Sequence, residues 1–230
     1  MVIGRNNKRQ LEWERHTMAR PLSCSFGVVI LAAGASSRMG LPKLLLPWGK
    51  GTIIEYLIHQ WGELQVAQIA IVCAAGDKAF QAELDRLGFP SIDRIVNETP
   101  EKGMFGSIQC AAKWRGWKPE LTDVVISLGD QPHLQLGTLR ALLDFKATLP
   151  GRICQPAFNG YPKHPVILPY AEFKLLGQTG FETLRDFLRS RADIISVLPL
   201  NDPGLDLDID RPEDYERAAR LWAEAQKRQS

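Results

Sequence analysis

Cysteine is scarce in this chain and widely scattered. Four occur in 230 residues, Cys24, Cys73, Cys110 and Cys154, with no Cys-x-x-Cys pair and no histidine at metal-ligand spacing. This excludes a disulfide-built framework and a structural zinc site. It favours a reducing, cytoplasmic setting in which all four thiols are small packing groups. Long apolar runs are missing too: none reaches the ~20 residues of a membrane-spanning helix. Charge of one sign is not in excess, since 28 Lys and Arg face 26 Asp and Glu, a net of +2. Neither nucleic acid nor a membrane surface is therefore expected as a partner. The two common phosphate-binding signatures, Gly-x-x-x-x-Gly-Lys-Ser/Thr and Gly-x-Gly-x-x-Gly, are also absent.

What is present is a length sufficient for one large domain or two small ones. Residues 1–25 differ from the rest. Arg5, Lys8, Arg9, Arg15 and Arg20 outweigh Glu12 and Glu14, and no apolar core of a secretory signal occurs. The two glutamates argue against a transit peptide. The expectation is a flexible N-terminal extension over 1–25, or a start codon nearer Met18, followed by a single domain over 26–230.

That domain is organised around Val28-Val-Ile-Leu-Ala-Ala-Gly34-Ala-Ser-Ser-Arg38-Met-Gly40-Leu-Pro-Lys43. Val28 to Leu31 reads as a strand buried on both faces. It breaks into Ala32, Ala33 and Gly34, small enough for a ligand to approach the backbone, with Gly34 free to adopt a positive φ. Ser36, Arg38 and Lys43 add a hydroxyl and two cations. Backbone N–H groups in a tight loop, backed by cations, suit phosphate. The competing reading is a surface turn with solvated cations.

Further along, Leu44-Leu-Leu-Pro-Trp48 holds Lys43 against the core, and Thr52 caps a helix running to about Leu64. Strands are expected at Gln68–Ala74 and Ile92–Val96, with a helix opened by Asp77 between them. Strand, helix, strand, helix, strand points to a parallel sheet with right-handed crossovers. Asn97 ends a strand, and Gly103-Met-Phe-Gly-Ser107 opens another helix; by the carboxyl-end rule both belong on the rim that carries the loop. Ser107 is otherwise an ordinary N-cap. Asp123–Leu128 is a strand running into Gly129-Asp130-Gln131-Pro132. Asp130 at its carboxyl end is placed to hold a metal, or else caps the helix beginning near Leu134. A helix over Leu136–Leu149, a strand over Arg152–Ala157 and a turn at Asn159–Pro162 follow. After these come Lys163-His164-Pro165, short helices around Phe173–Leu176 and Phe181–Arg185, and a strand over Ile194–Leu198. Leu205–Ile209 alternates as a short strand that puts Asp206, Asp208 and Asp210 on one side. These acids are otherwise an N-terminal cap for a final helix from Pro212 to about Gln226.

Leu31-Ala-Ala-Gly-x-Ser-x-Arg-Met-Gly-x-Pro-Lys43 resembles the signature loop of the MobA-like nucleotidyltransferases, most closely the molybdenum cofactor cytidylyltransferases. Ala33, where guanylyl-transferring relatives carry Gly, leans toward CTP. The resemblance covers about residues 26–220 and implies an α/β three-layer sandwich with a mostly parallel, Rossmann-like central sheet of the nucleotide-diphospho-sugar transferase (GT-A) type. It implies transfer of a nucleoside monophosphate from an NTP to a phosphorylated pterin-type acceptor, with pyrophosphate released. A molybdoenzyme receiving the product is an implied partner. By the same resemblance Arg38, Lys43 and Asp130 are catalytic. Leu31, Ala32, Ala33, Gly34, Ser36, Lys43, Asn97, Gly103 and Ser107 bind the nucleotide. Gln131, Pro132, His164 and Pro165 border the acceptor. Asp130 with Asp210, and Asp208 close behind, hold Mg²⁺, with Mn²⁺ the other candidate. Lys163 stands where the family carries Gly, which either narrows the acceptor pocket or adds a cation for the acceptor's phosphate. Gln178 replaces a usual Asp, and Arg185 is displaced from the usual arginine. These departures leave open a sugar or polyol phosphate as acceptor, and a non-catalytic escort of a pterin cofactor as the reading of a different class.

Overall fold

A computed structural model describes residues 24–34, 42–178 and 180–229. Residues 1–23, Ser36 and Arg38 lie outside the described residues. In chain order the elements are β1 (Phe26–Leu31), a 3-10 turn (Lys43–Leu45), the hairpin β2 (Pro47–Trp48) and β3 (Gly51–Thr52), α1 (Ile53–Glu63), β4 (Gln68–Ala74), α2 (Lys78–Arg86), β5 (Arg94–Asn97), α3 (Gly103–Lys113) and β6 (Asp123–Leu128). There follow α4 (Leu136–Ala147), β7 (Ile153–Phe158), β8 (Tyr161–Pro162), β9 (Val166–Pro169), α5 (Tyr170–Leu176), α6 (Leu184–Arg189), β10 (Ile195–Pro199) and α7 (Pro212–Gln229).

The main sheet has the order β10-β7-β9-β6-β1-β4-β5, with β8 paired to β7. β1 lies between β4 and β6 and is parallel to both; β5 is parallel to β4 and β10 to β7. β9 runs antiparallel to both its neighbours, so the sheet is mixed but mostly parallel. Alternation along β1 divides the core. Val28 and Ile30 join a cluster beneath α1, α2, α4 and α7, while Val29 joins one beneath α3, α5 and α6. Two helical layers thus sandwich one sheet, as expected. At the start of β6 a buried ion pair, Lys146 Nζ to Asp123 Oδ1 at 2.7 Å, ties α4 to the sheet.

Local chemistry explains the helix starts. Thr52 accepts from Glu55 N at 3.3 Å and Asp77 from Phe80 N at 3.0 Å, each an N-cap read from sequence. Four local expectations are corrected. The third parallel strand begins at Arg94, because Ser91–Asp93 forms a 3-10 turn after Pro90. The helix after Phe181 starts at Leu184, capped by Thr183. Leu205–Ile209 is not a strand: Pro203–Asp206 forms a 3-10 turn and the following residues pair with no strand. The burial alternation survives nonetheless, with Leu205, Leu207 and Ile209 buried and Asp206, Asp208 and Asp210 exposed. Finally, Gly34 has no positive φ, and a Cβ there would meet no described atom within 4 Å.

Candidate active site

The carboxyl ends of β1, β5 and β6 form one rim. β1 ends in Ala32 and Ala33, both buried, and Ala32 N donates to Val72 O at 2.9 Å. β6 ends beside it, where Gly129 N donates to Leu31 O at 3.2 Å. A Cβ on Gly129 would lie 2.8 Å from that same carbonyl, so only glycine lets the two strand ends close up. The turn then presents Asp130.

Lys43 meets Asp130 directly, although 87 residues separate them: Nζ lies 3.0 Å from Asp130 Oδ2 and 3.5 Å from Asp210 Oδ1. Leu44, buried in the core, anchors the turn that carries Lys43. Asp210 arrives because Ile209 N donates to Asp130 O at 3.1 Å, which pins the unpaired 207–210 segment along the Asp130 turn. Asp208 accepts from Gln131 Nε2 at 2.9 Å. Its carboxyl pKa is pushed up, first by loss of surrounding water and then by the charge of Asp130, with Asp210 adding less, although the residue as a whole stays accessible.

The capping alternative for Asp130 fails. α4 starts at Leu136, and its first turn is served by Asp202, whose Oδ2 accepts from Gln135 N at 3.2 Å and Thr138 Oγ1 at 2.7 Å. Asp130 is therefore not an N-cap. At α7 Asp214, in the first turn, reaches back to accept from Arg211 N at 2.9 Å and Asp210 N at 3.3 Å. Asp208 and Asp210 reach the rim through Gln131 and Lys43 respectively.

Asn97, fully buried at the end of β5, donates to Ser107 Oγ at 3.0 Å and accepts from Thr99 N at 2.9 Å. Ser107 is the fifth residue of α3 rather than its cap; its hydroxyl fixes the Asn97 amide. Gly103, at φ 75°, makes the entry to α3. On the other flank His164 is half-buried, and partial desolvation lowers its pKa, so the ring is neutral at neutral pH. It lines a cavity of about 820 Å³ with Lys163, Tyr161, Met104, Arg185 and Arg189. Pro165 follows it through a cis bond. Lys163 reaches away from His164 to pair with Asp206.

The donor set fits a divalent cation on one structural ground. Asp130 Oδ1 is buried and has no hydrogen-bond partner, an expensive state for a carboxylate oxygen unless a cation or ligand donor meets it. Among the described residues no three His, Cys, Asp or Glu side chains close on a single point, so oxygens of water or substrate would complete any coordination. Sequence reasoning missed Asp202, which sits in a stretch given no role and whose partners Gln135 and Thr138 are far away in sequence.

A glycine-pinned rim with a lysine between two carboxylates, on a mostly parallel sheet, is suited to hold a polyphosphate and its cation. The chain belongs to the MobA-like NTP transferases: the model of the MobA-like NTP transferase domain matches residues 28–194. It is 27% identical over 197 residues to the molybdenum cofactor cytidylyltransferase of Escherichia coli, covering 85% of this chain and 96% of that one. A molybdenum cofactor guanylyltransferase of Mesorhizobium japonicum is also 27% identical, over 84% and 94% of the two chains. So is a nicotine blue oxidoreductase of Paenarthrobacter nicotinovorans, over 85% and 97%. Among solved structures, Rv0371c from Mycobacterium tuberculosis superposes with a TM-score of 0.71 at 25% identity, covering 85% of this chain and 98% of that one. A structure of the same protein in complex with manganese superposes with a TM-score of 0.63 at 22% identity, over 85% and 98%. No helix among the described residues is long and apolar enough to cross a membrane.

Proposed function

We propose that this nucleotidyltransferase moves CMP from CTP onto the terminal phosphate of a molybdopterin-type cofactor and releases pyrophosphate. The observation that carries the reading is Lys43 Nζ between Asp130 Oδ2 and Asp210 Oδ1, at 3.0 and 3.5 Å. The cytidylyltransferase relative and Ala33 in the loop support CTP as the donor. The equally similar guanylyltransferase keeps GTP as the second reading.

An acceptor phosphate oxygen bonds to the α-phosphorus as the α–β bridge breaks, and the electron pair leaves on pyrophosphate. No general base is needed, because a phosphate monoester is already anionic at neutral pH, and no such role is assigned to His164. Lys43 takes up charge that builds on the triphosphate. Arg38, by sequence position, adds a second cation. Leu31, Ala32, Ala33, Gly34 and Ser36 offer backbone N–H groups or a hydroxyl to phosphate. Asn97, Gly103 and Ser107 shape the wall for base and sugar. Asp130 and Asp210, with Asp208 adjacent, would hold Mg²⁺ or Mn²⁺, which neutralises phosphate charge and aligns the reacting oxygens. Gln131, Pro132, His164 and Pro165 border the acceptor, whose phosphate Lys163, Arg185 and Arg189 draw into the 820 Å³ cavity. A molybdoenzyme is the receiver of the product in this reading.

The test is pyrophosphate release with molybdopterin cofactor and each of CTP, GTP, UTP and ATP. CTP is expected to lead by at least tenfold. Release with GTP alone would replace the donor, and release only with a sugar or polyol phosphate would replace the acceptor.

A further inference from the structure

Of the three groups that meet at the site, two stand on segments outside the main sheet. Asp130 is set by the end of β6, but Lys43 lies just before the β2–β3 hairpin and Asp210 just before α7. Their side chains meet at 3.5 Å, Nζ to Oδ1. How the hairpin seats on α7 therefore bears directly on that separation.

The first turn of α7 grips both segments. Asp214 accepts from Arg211 N at 2.9 Å and from Asp210 N at 3.3 Å, and Tyr215 N donates to Arg211 O at 3.2 Å. The backbone that presents Asp210 is thus tied to the helix start. The next side chain turns to the hairpin: the Tyr215 hydroxyl donates to Pro47 O. Pro47 follows Lys43 by four residues. The chain between them has little freedom, because Leu46 N donates to Lys43 O at 3.1 Å, Ile53 N donates to Leu46 O at 3.0 Å, and Leu44 is buried. Two adjacent residues of one helical turn, Asp214 and Tyr215, therefore hold the backbones behind Asp210 and Lys43. The circuit closes through the Lys43–Asp210 contact itself.

Beyond Pro47 the hairpin rests on rings. Trp48 lies edge-on to Tyr215 at 5.9 Å between centroids and tilted against Trp222 at 5.6 Å. Gly49, at φ +61°, comes so near that a Cβ would lie 3.3 Å from Trp222. Apolar contact of this kind is non-directional and lets the hairpin slide along the helix. A hydrogen bond to one carbonyl is directional and fixes the hairpin at one point. Trp222 makes a different polar tie: its Nε1 donates to Tyr56 Oη at 2.9 Å, joining α7 to α1 instead of to the segment of Lys43.

We propose that Tyr215 is a positioning residue, whose hydroxyl on Pro47 O sets the reach of Lys43 toward Asp210. This rests on the reading of Lys43 and Asp210 as groups that serve the triphosphate and its cation. Tyr215→Phe keeps the ring against Trp48 and removes only the hydroxyl. Pro47 is exposed, so water takes up the freed carbonyl, and the melting point should stay within about 3 °C of wild type. Pyrophosphate release is followed with whichever NTP the wild type turns over fastest, and Mn²⁺ affinity without NTP from the paramagnetic signal of the free ion. Tyr215→Phe should lower kcat by about threefold or more and leave KM for the NTP within about twofold. It should tighten Mn²⁺ by about twofold or more, as Lys43 loosens from Asp210. Trp222→Phe also takes one hydrogen bond from α7 and should change neither quantity by more than about twofold. On a Lys43→Ala background Tyr215→Phe should have no further effect on either. A smaller fall in kcat, Mn²⁺ binding that fails to tighten, an equal response in Trp222→Phe, or an effect that persists without the lysine overturns the proposal. A Lys43→Ala variant unchanged in both turnover and Mn²⁺ affinity overturns instead the reading on which it rests, so the two failures are told apart.

Discussion

Replacing Lys43 by Ala should move two measurements in opposite directions. The ammonium lies 3.0 Å from Asp130 Oδ2 and 3.5 Å from Asp210 Oδ1, so it occupies the charge position that a divalent cation between these carboxylates must take over. At an effective dielectric of about 20 each contact is worth about 5 kcal/mol of bare Coulomb attraction. Solvation offsets most of this. The side chains are 15%, 23% and 50% exposed, so about 1–2 kcal/mol survives as net competition. Lys43→Ala should therefore bind Mn²⁺ about five- to thirtyfold more tightly in the absence of NTP. Turnover should fall by about 10² to 10³, the usual cost of losing one preorganised donor at a developing charge. Mn²⁺ affinity is read from the paramagnetic signal of the free ion, and turnover from pyrophosphate release. Mn²⁺ binding that weakens along with turnover would refute the reasoning, because Lys43 would then support the cation site instead of competing for it.

Three other outcomes follow from the geometry. Asp208 has a raised pKa, so the folded chain holds its proton more tightly than the unfolded chain and ionised Asp208 opposes folding. Asp208→Asn should accordingly be more stable than wild type at pH 7, with the gap shrinking as pH falls through the raised folded-state pKa and gone by about pH 4; thermal melts across pH test this, and a less stable variant at pH 7 contradicts it. Lys146→Met leaves Asp123 charged and buried, and should cost about 3–5 kcal/mol, lowering Tm by roughly 10 °C; a melting point within about 2 °C of wild type refutes it. Lys163→Gly should raise KM for the phosphorylated acceptor about tenfold while leaving KM for CTP unchanged; equal effects on both would return Lys163 to a structural role.

The strands buried on both faces were legible in sequence because a continuous β-branched run has few other stable environments. Asp123–Leu128 is reproduced to the residue, and the β1 core and β4 match closely. β9 was not legible as an antiparallel strand, because Val166–Pro169 records burial but not direction. The 205–209 stretch misled for a related reason. Alternating burial needs an extended backbone but not a strand partner, and here the partner is the single carbonyl of Asp130. At the site, Lys43 and Asp130 were placed on one rim by the carboxyl-end rule, and they are in contact. What stayed hidden is made by pairings distant in sequence: Asp202 bonding the start of α4 and Lys163 reaching Asp206. Cys73 and Cys154 are buried and Cys24 and Cys110 half-buried, all free thiols, in keeping with packing roles.

The central claim is that Asp130, set against Lys43 at the end of β6, holds the cation that a triphosphate needs. The most direct measurement follows radiolabel from the α-phosphate of CTP into molybdopterin cofactor across a Mg²⁺ titration, in wild type and Asp130→Asn. The account predicts cation-dependent labelling in the wild type and a loss of at least a hundredfold in the variant, with the fold retained. Equal labelling by the two proteins, with the same dependence on Mg²⁺, would contradict it.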